Sequence, residues 1–190
     1  MISKEQLEEL LRRPGTKCVL AFEEAWLPRL EDYCEWAVQC VADDFLCDAL
    51  LPVASHCGEE PISYYRLMAD LRFLLYRLGV AVPVGIEAAE LFFLGLLEQV
   101  ATASSADWET LLTVGDLAED NPELPGGHDI ANLKYQHRDP EGETCEDVLC
   151  RFHDKARELV EGYNIQFREE EGRWRIVLVR PIAEGRSGRF

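Results

Sequence analysis

The stretch IEAAELFFLGLLEQVATA, residues 86–103, decides the fold class of this chain. Apolar side chains cover almost every side of a helix drawn through it, and such a helix is stable only when other elements surround it. Glu87, Glu90 and Glu98 interrupt the stretch, which is also shorter than the roughly 20 apolar residues that cross a bilayer. The stretch therefore predicts the central core helix of a helical bundle and excludes a membrane span.

Shorter amphipathic helices are predicted on the N-terminal side of this core helix. Residues 5–13, 28–45 and 63–78 each repeat apolar side chains at intervals of three and four, which is the period of a half-buried helix. Residues 16–25 fit a helix or a buried strand equally well, because their apolar run is too short to show a period.

The C-terminal part changes from a helical period to a strand period. Thr144 begins a capping box, and residues 145–160 carry an apolar stripe at helical spacing. Residues 163–168 and 173–181 are rich in strand-forming side chains and flank the sequence Glu169-Glu170-Glu171-Gly172, which predicts a hairpin. We therefore expect an α+β protein, mainly an α-helical bundle with a C-terminal helix plus a β-hairpin.

Residues 115–143 combine prolines and glycines with acids, and we expect an acidic loop region there. This region would separate a helical bundle over residues 1–114 from a C-terminal helix and hairpin over residues 144–182. The chain has 190 residues, 47% of them hydrophobic, which suits one compact domain with the second part packed on the first.

The charge of the chain is acidic and unevenly distributed. The sequence has 36 Asp and Glu against 19 Lys and Arg, a net charge of −17, and residues 78–133 contain ten acids and no base. Phosphate backbones would be repelled by most of such a surface, so direct nucleic-acid binding is disfavoured and a basic protein partner is favoured. Acidity that serves solubility alone is the alternative interpretation.

The acids in the two predicted exposed turns are the candidate partner-binding residues. Tyr135 joins them as an aromatic anchor, and the full set is Asp116, Glu119, Asp120, Glu123, Asp129, Tyr135, Glu141 and Glu143. Carboxylates on one face speed the encounter with Arg and Lys and disfavour partners of the wrong charge. The sequence therefore predicts an acidic, non-enzymatic binding protein that inhibits, neutralises or chaperones a basic protein, in the manner of an immunity protein or inhibitor.

An enzymatic alternative starts from His128-Asp129. This pair resembles the two-residue signature of the HD family of helical metal phosphohydrolases, which also needs an upstream His and a downstream Asp, and His56 is the upstream His that the chain offers. The alternative function is therefore a small metal-dependent hydrolase that uses His128, Asp129, His137 and nearby acids.

The cysteines favour a cytoplasmic protein with reduced thiols. Their number, seven, is odd, and residues 1–13 lack the apolar core of a secretory signal. Cys145, Cys150 and His153 come nearest to a zinc-binding pattern, but on a helix the two cysteines would point roughly 140° apart. We therefore expect a buried Cys145, a marginal Cys150, a solvated His153, and no metal or cofactor. On the helix predicted over residues 28–45, we expect Cys40 at the margin of the apolar stripe. An oligomeric module whose apolar faces meet is a further possibility.

Overall fold

The computed structural model describes residues 1–23, 29–138 and 144–179, with the backbone alone at 137 and 138. In this part of the chain the elements are α1 (Lys4–Arg12), α2 (Thr16–Leu20), α3 (Glu31–Ala42), α4 (Cys47–Ala54), α5 (Tyr64–Leu78), α6 (Ile86–Thr102), α7 (Trp108–Asp120), α8 (Gly127–Arg138), α9 (Cys145–Gly162), β1 (Asn164–Glu170) and β2 (Arg173–Val179). The predicted fold class, mainly helical with a C-terminal helix and an antiparallel hairpin, is confirmed. None of the described helices is both long enough and apolar enough to span a bilayer.

Helix α6 is the central core helix, as its composition predicts. Helices α2, α7 and α9 and strand β2 all pack against it. Gly95 allows the close approach of α2, because a Cβ at this position would lie 2.7 Å from the Sγ of Cys18 and 3.0 Å from its backbone nitrogen. A side chain does not fit at these distances, so the crossing of α2 and α6 requires glycine.

The N-terminal helices are fixed by caps and by one buried hydrogen bond. The hydroxyl of Ser3 accepts from the backbone N–H of Gln6 at 3.2 Å, and the Gln6 side chain accepts from the Ser3 backbone at 3.0 Å. Of the ambiguous segment 16–25, residues 16–20 form helix α2, and residues 24 and 25 lie outside the described part of the chain. The Trp36 indole donates to the hydroxyl of Thr16 at 2.8 Å. This bond joins α2 to α3.

The helix predicted over residues 28–45 is α3, which ends three residues earlier, at Ala42; residue 28 lies outside the described part of the chain. Helix α4, which the sequence pattern did not predict, follows it and contains Pro52. The chain turns between α3 and α4 through Asp44 and Leu46, whose φ angles are 57° and 49°. The sequence does not signal this turn, because it contains neither glycine nor proline, the residues that usually mark one.

The predicted acidic loop over residues 115–143 is mostly helical where the structure describes it. Helix α7 continues through Gly115 to Asp120, and α8 follows after the short connection 121–126. Gly115 is buried, and a Cβ there would lie 2.7 Å from the Cδ of Lys134. The glycine therefore admits the side chain of Lys134 and does not end the helix, so tertiary packing outweighs its low helix propensity.

Backbone hydrogen bonds join the hairpin to the residues that follow α5. Strands β1 and β2 pair from Asn164 opposite Val179 to Glu170 opposite Arg173, around a turn shorter than the predicted one. On the outer edge of β2, the Trp174 N–H donates to the Gly79 carbonyl at 2.7 Å, and the Ala81 N–H donates to the Trp174 carbonyl at 2.8 Å. The Trp174 indole also donates to the Ile2 carbonyl at 3.0 Å, which ties the N-terminus to the hairpin.

Candidate functional site

The centre of the candidate site is a buried lysine between two carboxylates. The aliphatic part of Lys134 crosses α7 at Gly115, and the residue is only 2% exposed. Its ammonium donates to Asp116 and, at 2.7 Å, to Glu119. Burial alone would lower the pKa of Lys134, but the hydrogen bonds and charges of the two carboxylates outweigh it and raise that pKa. Lys134 therefore stays charged and fixes the positions of Asp116 and Glu119.

Asp129 is held in a similar way from α9. The Lys155 ammonium lies 2.9 Å from Asp129 and 3.0 Å from Glu158. Burial would lower the pKa of Lys155, but hydrogen bonds to these two carboxylates raise it. Asp129 thus has a structural role between α8 and α9, which the sequence pattern did not indicate.

The last turn of α7 is acidic and contains no base. Carboxylates at a helix C-terminus oppose the helix dipole, and Asp116 and Asp120 are also like charges four residues apart on one face. Asp120 is exposed, and no hydrogen bond or ion pair joins its carboxylate to another described residue. Nothing in the described fold therefore compensates Asp120, whereas Lys134 compensates its neighbour Glu119.

Of the remaining residues predicted to bind a partner, the structure describes two and leaves two outside its described part. Glu123 lies in the connection after α7, and Tyr135 lies on α8 with its ring 54% exposed and 5.5 Å from the Lys134 ammonium. Glu141 and Glu143 lie outside the described residues. The structure therefore brings Asp116, Glu119 and Asp120 together on α7, with Tyr135 beside Lys134.

Bases from elsewhere in the chain neutralise much of the region 78–133. At least five of its ten acids form ion pairs with bases outside it among the described residues. The bases are Lys17, Lys134, Lys155 and Arg175, and the acids are Glu87, Glu98, Asp116, Glu119 and Asp129. The sequence pattern could not reveal these pairs, because the partners are far apart along the chain.

The residues of the enzymatic alternative lie on α8. His128 is exposed, Asp129 pairs with Lys155, and the side chain of His137 lies outside the described part of the chain. Among the described side chains, no group of three or more His, Cys, Asp and Glu is arranged to hold a metal ion.

The cysteines correct two expectations. Cys145 was expected in the core but is exposed, because it is the first residue of α9 and precedes the part of the helix that packs on α6. Cys40 was expected at the margin of its helix but is only 2% exposed. Cys150 is exposed, and the ring of His153 lies 3.2 Å from the carbonyl of Ala103.

A cleft of about 600 Å³ between α1, α6 and β1 is a feature that the sequence did not suggest. Leu11, Ile165 and Phe167 are among its lining residues, and the buried ammonium of Lys17 lies there 2.7 Å from the carboxylate of Glu98. Its volume falls within the range of small-ligand sites, roughly 300–1,000 Å³. The ion pair leaves the polar part of the lining close to neutral.

Comparison of the chain with protein-family models, with curated proteins and with solved structures finds no match.

Proposed function

We propose that this protein is a non-enzymatic acidic binding protein that inhibits, neutralises or chaperones a basic protein partner. The partner would dock on the acidic end of α7, which we define as Asp116, Glu119, Asp120 and Glu123. The observation that supports this proposal most is Asp120, an exposed carboxylate without a compensating group among the described residues, at a helix end that disfavours it. A binding role would account for the Asp120 carboxylate, which does not stabilise the described part of the fold.

Preorganisation supports the same proposal. Lys134 holds the carboxylates of Asp116 and Glu119 in place before any partner arrives, so less side-chain entropy is lost on binding. The Asp116 side chain is still 64% exposed and can accept hydrogen bonds from a partner's arginine. The net charge of −17 adds long-range attraction to a basic protein and increases the association rate.

The double variant Asp120→Asn/Glu123→Gln tests the proposal. A matched control, Glu35→Gln/Glu161→Gln, removes two exposed carboxylates from α3 and α9 and changes the net charge equally. The partner is first isolated by affinity capture from native lysate at low salt, and its binding to each purified variant is then measured by calorimetry and by association kinetics.

We expect the α7 variant to weaken binding by about three- to thirty-fold, mostly through slower association, and the control to change it less than about twofold. Asp120→Asn alone is expected to leave the melting temperature unchanged or to raise it, because it relieves repulsion at the helix end. Equal losses in both double variants would show that net charge and not this site attracts the partner. Capture of no basic protein would contradict the proposal.

A further inference from the structure

Helix α5 carries a second apolar stripe on the side away from the core. Its core side contributes Leu67, Met68, Leu71, Leu74, Leu75 and Leu78, all buried. The α5 stripe, which we define as Tyr65, Ala69, Phe73 and Tyr76, follows a spacing of four, four and three residues and so lies along the opposite side. A helix that is apolar on two sides normally has packing partners on both.

The α5 stripe is large enough to form a substantial part of an interface. Tyr65, Phe73 and Tyr76 are 85%, 51% and 64% exposed. Since an aromatic side chain offers about 150–250 Å², the three rings together expose on the order of 400 Å². A standard interface buries roughly 800 Å² on each partner, so the stripe supplies about half of that area. The stems of the flanking arginines add to it, and exposed Tyr, Phe and Arg are the composition of an interface centre.

The three arginines beside the α5 stripe have partners within the molecule: two pair with acids and the third donates to a backbone carbonyl. Arg72 donates to both oxygens of Glu23, at 2.5 and 2.9 Å. Arg66 lies 3.4 Å from Glu59, and Arg77 donates to the Asp48 carbonyl at 2.9 Å. An acidic partner or a nucleic acid would have to compete with these bonds. Two copies of a protein with a net charge of −17 repel each other least where both signs are present, as they are here.

We propose that the α5 stripe is the interface of a homodimer, in which α5 packs antiparallel against the same helix of a second copy. The two-fold axis passes near Ala69, because Tyr65 and Phe73 lie four residues to either side of it. This symmetry places Tyr65 of each protomer against the partner's Phe73 and brings the two small Ala69 side chains together. The small central residue allows the helix axes to approach to the usual 8–10 Å, and the contact is self-complementary.

The oligomeric state of the full chain tests this proposal. Analytical ultracentrifugation from low micromolar to near-millimolar concentration compares the wild type with Ala69→Glu and with Gln39→Glu. Ala69 and Gln39 are both exposed on helices and both changes add one negative charge, so the second variant is a matched control. Glutamate is a good helix former, and circular dichroism and the melting temperature will verify that Ala69→Glu folds.

The wild type and Gln39→Glu are expected to be dimers, and Ala69→Glu is expected to raise the dimer dissociation constant at least about a hundredfold. An independent variant, Ala69→Cys, should form a disulfide between the two copies on mild oxidation, which peptide mapping distinguishes from disulfides of the exposed Cys57, Cys145 and Cys150. A monomeric wild type, a dimer that persists in Ala69→Glu, or a dimer that does not form the 69–69 disulfide would overturn the proposal. A monomer that binds a different protein through the α5 stripe would overturn it as well.

Discussion

Replacement of His56 by glutamine is expected to remove a charged contact that joins the turn after α4 to α5. The His56 side chain is fully buried, with Nδ1 lying 3.1 Å from Glu59 and Nε2 lying 2.7 Å from Asp70. A ring that donates to a carboxylate through both nitrogens must carry both protons. Burial alone would lower the pKa of His56, but the hydrogen bonds to Asp70 and Glu59 raise it above 6.5.

The expected destabilisation by His56→Gln is about 2–3 kcal/mol. A hydrogen bond between charged groups contributes about 1.5–3 kcal/mol when it is buried. The carboxylates of Glu59 and Asp70 are 30% and 35% exposed and can be solvated once the imidazolium is gone, so each bond is taken at about 1–1.5 kcal/mol. For a chain of this length, the loss corresponds to a fall in melting temperature of about 4–12 °C.

The pH dependence distinguishes a charged His56 from a neutral one. Because the folded-state pKa of His56 is raised, its stabilisation is complete below the unfolded value near 6.5 and is lost as the pH rises through the folded value. The Glu59 pKa is lowered from 4.5 by its hydrogen bond to His56, so this carboxylate stabilises the fold above pH 4.5 and stops doing so as the pH falls through its folded value. The stability difference between wild type and variant should therefore be largest between about pH 4.5 and 6.5.

Urea unfolding at several pH values measures this difference in stability and the coupling energy between His56 and Asp70. The proteins to compare are the wild type, His56→Gln, Asp70→Asn and the double variant. The coupling should shrink as the pH is raised above the folded-state pKa of His56. A stability difference that stays constant from about pH 6 to about pH 9 would refute the reasoning, because it would show that the contact does not depend on the charge of His56.

Two further predictions concern Lys134 and the thiols. Lys134→Met keeps an aliphatic side chain against Gly115 but removes the charge between Asp116 and Glu119. It should lower the free energy of unfolding, measured with urea at neutral pH, by about 1–2 kcal/mol, because both carboxylates stay partly solvated. A loss of the same size in acid, where those carboxylates are protonated, would mean that packing and not charge is lost. In the native protein, an alkylating reagent followed by mass spectrometry should label Cys57, Cys145 and Cys150 first. Burial raises the pKa of Cys18 to about 12 and that of Cys34 to about 11, so rapid labelling of these two would contradict their burial in the core.

The sequence predicted the elements whose signals are local. The core helix α6, the capping box at Thr144 and the hairpin around Gly172 depend on residues within a few positions of each other, and the structure contains all three. The end of α3 was predicted three residues too late and α4 was not predicted, because Asp44 and Leu46 adopt left-handed backbone angles without a glycine to signal them.

The candidate site was predicted less well because its geometry is set by contacts between distant residues. Lys134 had no distinguishing local pattern, and its burial follows from Gly115 on the neighbouring helix. His56 lies in the turn after α4, and its contact with Asp70 on α5 has no local signal either. By contrast, the spacing of Tyr65, Phe73 and Tyr76 is present in the sequence. A period of three and four residues predicts one buried face, and the second apolar face becomes evident only when the exposed side of the helix is also considered.

The two proposed surfaces should respond to salt in opposite directions, which separates them in one set of experiments. Binding of a basic protein to the acidic end of α7 depends on attraction between opposite charges, so added salt should weaken it. Dimerisation through the α5 stripe buries mainly aromatic area against the mutual repulsion of two molecules with a net charge of −17, so added salt should strengthen it by screening that repulsion. Self-association that weakened with salt would instead indicate that the acidic surface of one copy binds the arginines beside α5 of another. That contact would be head-to-tail and would form chains or rings rather than a closed dimer.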